Sequence, residues 1–307
     1  MALEEYLSEL SDPSQPLKVA DLAQLSALTT EAAPTVANAW PQIFLDRRKT
    51  IVSDLTQLAE DNIEYDFDTV LFIALDDSED SVRVEAVRGL WENDSPEFMA
   101  RLLDMVTTDD NARVRAETAL ALGRFALNAA FGKLPQRQVE RLEETLRTVV
   151  SDPREVAEVR GRALEALSPL NQPWVQGAIN EAYHDGDMRL RIAAVHAMGR
   201  SCDPTWLPTL YGELENEDPE LRYEAATACG VLGDDDAVSH LLRLVLDEDE
   251  EVREAAIAAL GEIGGDKARD TLMILLDSES EATREAASAA LATIDFEEDP
   301  LAVRFRD

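Results

Sequence analysis

The stretch DEDEEVREAAIAALGEIGGDKA, Asp247 to Ala268, opens on five consecutive acids and then turns alanine-rich around one arginine, Arg253. Two other stretches, DPELRYEAATACGVLGDDDA (218–237) and SEATREAASAALATID (280–295), match it when the chain is slid against itself by 31 residues. A period between about 20 and 50 residues marks stacked supersecondary units rather than a single site. The acids therefore belong to one brick of a repeat.

An arginine that follows an apolar residue recurs at Arg83, Arg115, Arg160, Arg191, Arg222, Arg253 and Arg284, with Arg48 and Lys18 as weaker anchors upstream. Nine units follow from these positions. Three residues after an anchor the slot is small (Ala86, Ala163, Ala194, Ala225, Ala256, Ala287), and seven after it is apolar (Leu90, Leu122, Leu167, Met198, Cys229, Leu260, Leu291). That spacing is the buried stripe of a helix. The slot after that is small again at Gly123, Ser168, Gly199, Gly230, Gly261 and Ala292, and Trp91 breaks the rule. Four residues before the anchor stand Asn111, Asp187, Asp218, Asp249 and Ser280, all good helix N-caps, and Pro219 suits a first helical position. Glu250 and Glu251 then meet the positive end of a helix dipole. The opening acids start a helix. A partner helix precedes each of these, as in AVSHLLRLVL (237–246), with Val238, Leu241, Leu242 and Val245 on one face.

On these residues the chain resembles the HEAT-repeat family, and within it the short phycobilin lyase-type repeat, whose pattern is nearly spelled by Asp247 to Gly264. The resemblance implies an all-α fold, a HEAT-like alpha-alpha superhelix (solenoid) of about nine helix pairs. It is good over 65–294 and looser over 1–64, which are expected to be divergent capping repeats of the same continuous solenoid domain. The step from Arg115 to Arg160 is 45 residues instead of 31, with the surplus expected at about 125–142 around Gly132 and Pro135. An acidic tail, 295–307, is expected to be partly disordered or to cap the last repeat.

The chain has 307 residues with 63 acids, 28 bases and a net charge of -35, which opposes binding to nucleic acid and favours basic partners. It suits a salt-rich cytoplasm equally well. Glu4 and Glu5 occupy the place of a signal peptide's basic start, and no apolar run approaches the roughly 20 residues that span a bilayer, so a cytoplasmic protein without a membrane partner is expected. Of the two cysteines, Cys229 sits in a leucine slot and reads as a buried free thiol.

Deoxyhypusine hydroxylase is built on similar repeats and holds two irons through His-Glu pairs, whereas the three histidines here are followed by Asp185, Ala197 and Leu241. Together with the absence of nucleophile motifs, phosphate loops and Cys-x-x-Cys, this leads to the expectation of no enzyme, with no catalytic, cofactor-binding or metal residue. Asp234, Asp235 and Asp236 read as a solvated turn. Charge is uneven: residues 1–80 carry 4 bases and 17 acids, 81–200 carry 16 and 18, and 201–307 carry 8 and 28. In the resembled repeat, the second helices line a concave surface. The outward slots of the nearly neutral middle hold Arg88, Arg124, Arg162, His196 and Arg200, joined by Trp91 in its glycine slot. These six are the candidate partner-binding residues; pairing of the arginines with acids of adjacent repeats is the competing reading. The function expected is a non-catalytic scaffold or adaptor that holds another protein, one with a basic surface, on its concave face. The alternative, implied by the repeat type, is a phycobilin lyase-like chaperone for a tetrapyrrole or other prosthetic group.

Overall fold

The structure, a computed structural model, describes residues 3–170 and 172–298. Among them every regular element is a helix. The first compact unit, Met1–Ala166, contains α1 (Leu3–Ser11), α2 (Ala33–Ala39), α3 (Leu45–Asp61), α4 (Asp68–Ala74), α5 (Asp80–Gly89), α6 (Pro96–Thr108), α7 (Ala112–Ala130), α8 (Gln136–Ser151) and all but the last residue of α9 (Ala157–Leu167). The second, Leu167–Asp307, contains α10 (Pro173–Tyr183), α11 (Met188–Arg200), α12 (Leu207–Glu213), α13 (Pro219–Leu232), α14 (Ala237–Leu244), α15 (Glu250–Ile263), α16 (Gly265–Leu275) and α17 (Glu281–Glu298). Lys18 precedes a short 3-10 helix, Val19–Leu25, rather than an α-helix. The fold is all-helical and of the HEAT/armadillo repeat type. Residues 299–307 of the acidic tail lie outside the described residues.

The expected caps form. Asn111, Asp187, Asp218 and Asp249 each accept a hydrogen bond from a backbone N–H two residues on, and Ser280 accepts one from Thr283 N–H. Glycine ends α13: Gly233 has φ 64°, a left-handed conformation that a side chain disfavours. Most of the 14 extra residues of the long repeat are taken up by helix length. α7 has 19 residues and α8 has 16, against 13 in α11 and 11 in α10.

Close approach between successive second helices explains the small slots. A Cβ built on Gly199 would lie 2.7 Å from Ala228, one on Gly261 2.8 Å from Ala290, and one on Gly230 3.0 Å from Ala259. In each case the glycine eight residues past one anchor meets the alanine six past the next. Gly123 and Ala166 keep this order at a looser 3.5 Å, but at one crossing of the first unit the pair is inverted: Gly89, six past Arg83, faces Thr56, eight past Arg48, and a Cβ there would meet Thr56 Oγ1 at 2.6 Å. α5 ends at Gly89, so Trp91 lies beyond the helix and escapes the crossing.

The anchor arginines have a role that the sequence pattern did not disclose. Arg83, Arg115, Arg222, Arg253 and Arg284 each donate from Nη1 to the carbonyl six residues back, in the turn between the two helices of their own repeat, at 2.7–2.9 Å. Three of them also grip a carboxylate of the next repeat with two parallel bonds: Arg83 with Asp109, Arg115 with Glu155 and Arg222 with Asp247, all at 2.7–2.8 Å. Such bidentate, charge-assisted pairs fix geometry as well as adding energy. Burial opposes ionisation of Asp109 and Asp247, but the bonds from Arg83 and Arg222, the N–H groups of Asn111 and Asp249, and the charges of Arg115 and Arg253 together outweigh it and hold both carboxyls below the usual range. Glu155 is held low by Arg115.

Candidate functional site

The sequence-predicted contact residues fall in both units. In the first, Arg88 on α5 donates to Glu85 at 3.0 Å and to Glu117 on α7 at 2.7 Å. Arg162 on α9 pairs with Glu165 at 2.8 Å. Burial works against its charge, yet Glu165, Glu158 and Glu117 hold its pKa above the ordinary value, so Glu117 serves both arginines. Arg124 on α7 donates to the Asn93 carbonyl, while its Nε and Nη1 are buried without hydrogen-bond partners. Burial lowers its pKa, with Asp94 opposing. Trp91 is 55% exposed. In the second unit, His196 Nδ1 lies 3.0 Å from Glu224 Oε2 on α13, and Arg200 is exposed at the end of α11.

The other candidates take separate positions. His184 Nδ1 is 2.8 Å from the Asn180 carbonyl, and His240 stacks on Tyr211 with centroids 4.3 Å apart. Cys229 is buried and free; burial and Asp234 push its thiol up to about 12. Trp206 donates to Gln176 Oε1 at 2.7 Å, tying α10 to the start of the next repeat.

A concavity lies elsewhere, on the second-helix face of α13 and α15. It is a groove of about 800 Å³ lined in part by Thr227, Ala255, Ala258, Ala259 and Tyr223. Six carboxylates line it, from Glu220, Glu224, Asp249, Glu251, Glu254 and Glu262, and no basic residue does. Glu224 faces His196, and Asp249 is committed to the α15 N-terminus, where it accepts from Glu251 and Val252 N–H. Glu220, Glu251 and Glu254 are exposed, with no cation or donor paired to them among the described residues. The signal for this groove was present in the sequence. The slot two before the anchor holds Arg113 and Arg189 in earlier repeats but Glu220 and Glu251 here, and the slot one after holds Tyr223 and Glu254.

Helix pairs stacked through small residues and stapled by arginines, with variable residues left outward on the second helices, define a helical-repeat protein. Residues 69–158, 175–257 and 207–292 match HEAT repeats, well over half of the sequence, and the chain belongs to that family. Over 108 residues it is 28% identical to human deoxyhypusine hydroxylase, a match covering 34% of this chain and 34% of that protein; the chain thus spans about a third of the length of the curated relative it matches. Among solved structures, the Escherichia coli protein YibA is similar over 80% of this chain and 96% of its own (19% identity, TM-score 0.47). Human deoxyhypusine hydroxylase in complex with glycerol is similar over 90% and 96% (21%, 0.37). A designed armadillo repeat protein in complex with the peptide (KR)4 is similar over 64% and 99% (19%, 0.42).

The expectation of no enzyme is corrected by the relationship to deoxyhypusine hydroxylase, which is one. The described residues do not fit irons held by His-Glu pairs: the three histidines have separate surroundings, and among the described residues no three His, Cys, Asp or Glu side chains come together as a metal site. Among them, too, no helix is long and apolar enough to cross a membrane.

Proposed function

We propose that this HEAT-repeat chain binds another protein, receiving a partner's basic surface on the second-helix face of its C-terminal repeats. The observation that carries the reading is the α13–α15 groove, about 800 Å³ in volume and lined by six carboxylates and by no basic residue. Such a rim attracts a basic protein and repels a phosphate backbone. The test is capture of partners from the source lysate, followed by crosslinking to map the contact. Two variants are compared with the parent chain: Glu220→Gln with Glu251→Gln and Glu254→Gln, and Arg88→Glu with Trp91→Ala and Arg200→Glu. Buried Arg124 is left in place. Loss of one specific partner in the first variant alone, with crosslinks on α13 and α15, supports the groove. Loss in the second variant alone would instead assign the partner to the surface expected from Arg88, Trp91, Arg124, Arg162, His196 and Arg200. Capture unaffected by either variant overturns the reading.

Kinship with deoxyhypusine hydroxylase over 108 residues supports a second reading, a catalytic one, tested by assaying the purified chain for hydroxylation of deoxyhypusine. The phycobilin lyase-type reading rests on the pattern at Asp247 to Gly264, and an absorbance scan for a coloured ligand tests it.

A further inference from the structure

We infer that the occupant of the α13–α15 groove is an extended peptide segment of the partner, with a lysine or arginine at every second or third position; this rests on the protein-binding reading above. Two independent features of the groove point the same way, its charge and its spacing. Glu220 and Glu251 are one repeat apart, 31 residues, and so occupy the same register on neighbouring helices; Tyr223 and Glu254 form a second such rung. Packed helices lie about 8–10 Å apart. In a strand-like chain, rising about 3.3 Å per residue, side chains two apart share a face, and in a polyproline II chain, rising about 3.1 Å, side chains three apart do; separated by about 7 and 9 Å, either set reaches adjacent rungs. Apart from Pro219, Tyr223 and the acids the lining is Thr227 and alanine, small side chains that leave room for a backbone.

Tyr223 supplies what a carboxylate cannot. It is exposed at the groove, and its ring face attracts an arginine or lysine head group directly. The rim carboxylates that would do most of the binding, Glu220, Glu251 and Glu254, are those without a partner inside the described protein, so a peptide need not first break an internal pair. Polyamines share the ammonium chemistry but have neither a guanidinium to stack on Tyr223 nor a backbone to lie in the groove.

The experiment is fluorescence anisotropy on the full chain at low salt, using a labelled nonapeptide with arginine at every third position among glycine and serine. The same peptide with glutamate in place of arginine is the control, and spermine is the competitor. Binding of the arginine peptide alone is expected. Glu220→Gln with Glu251→Gln and Glu254→Gln should weaken it about tenfold or more, as three exposed charge pairs are lost, and Tyr223→Ala should weaken it several-fold. Both variants should keep the parent's thermal midpoint, because the altered side chains are exposed. Equal affinity of the parent and the triple variant, or displacement by spermine at matched charge together with indifference to Tyr223→Ala, overturns the inference. If the peptide fails while partner crosslinks still map to α13 and α15, only the extended basic occupant is wrong and the protein-binding reading stands.

Discussion

At the anchor position one side chain holds two joints. Arg222 closes the turn of its own repeat through the carbonyls of Asn216 and Glu217, at 2.9 and 3.0 Å, and clasps Asp247 of the next. Neither partner shows in a pattern of identities, because one is a backbone oxygen and the other lies 25 residues away. The sequence therefore displayed the arginine as a marker and concealed its work. Asp109, Asp247 and Glu155 are ionised more readily in the folded chain than in the unfolded one. A carboxyl depressed on folding stabilises above its unfolded value, about 4, and that contribution is lost as pH falls through the lower folded value. Acid should accordingly destabilise the fold below about pH 4 and not between pH 5 and 8. Asp247→Asn should cost about 1–3 kcal/mol at pH 7, the range for charge-assisted bonds, and should flatten the acid limb. Chemical denaturation from pH 7 down to pH 2.5 checks both; a variant with the parent's acid profile would show that the staple does not titrate with folding.

Helices were more legible than single contacts because their signals are local. Caps, the buried stripe and the small slots all lie within one turn or two, and Asp218 and Asp249 stand where the reading put them, accepting N–H bonds at 2.9 and 3.0 Å. Asp218→Ala and Asp249→Ala should each destabilise by about 0.5–2 kcal/mol without altering helix content, as read by thermal melts and circular dichroism. Trp91 reads as an intrusion into a glycine slot when repeats are aligned by spacing alone, but α5 stops at Gly89 and the loop residues Asn93, Asp94 and Ser95 and then Pro96 follow. Glycines divide by what faces them. At Gly199 and Gly261 a Cβ would press on the backbone of the next helix, whereas at Gly177, inside α10, it would meet nothing within 4 Å. Gly199→Ala and Gly261→Ala should thus cost about 1–3 kcal/mol through overpacking. Gly177→Ala should instead stabilise by about 0.5–1 kcal/mol, because alanine is the better helix former and its methyl is free. Melting the three variants side by side tests this; equal losses would mean that helix spacing is not set by these contacts.

Over the whole molecule, charge was fully legible and its use was not. The sum is -35, and the last 107 residues hold 28 acids against 8 bases, but a sum does not say which acids are engaged. The structure separates them. Asp109 and Asp247 are nearly buried in staples, their side chains 8% and 9% exposed, while Glu220, Glu251 and Glu254 stand open to solvent. Salt acts unequally on these two populations, since it largely screens exposed charges more than about 10 Å apart at 0.1 M and more than about 3 Å apart at 1 M, and buried pairs much less. Excess exposed carboxylates repel one another and oppose the compact state, so screening them relieves strain while the staples persist. Stability should therefore rise between 0.05 and 0.5 M sodium chloride. Binding of the arginine peptide draws on the same exposed carboxylates as attractors and should weaken over that range. Opposite slopes are the expected outcome when thermal midpoint and anisotropy are followed in one salt series. A midpoint that falls with salt would mean that exposed ion pairs such as Arg243–Glu215 dominate the balance, and the acid excess would then have no energetic claim on the fold.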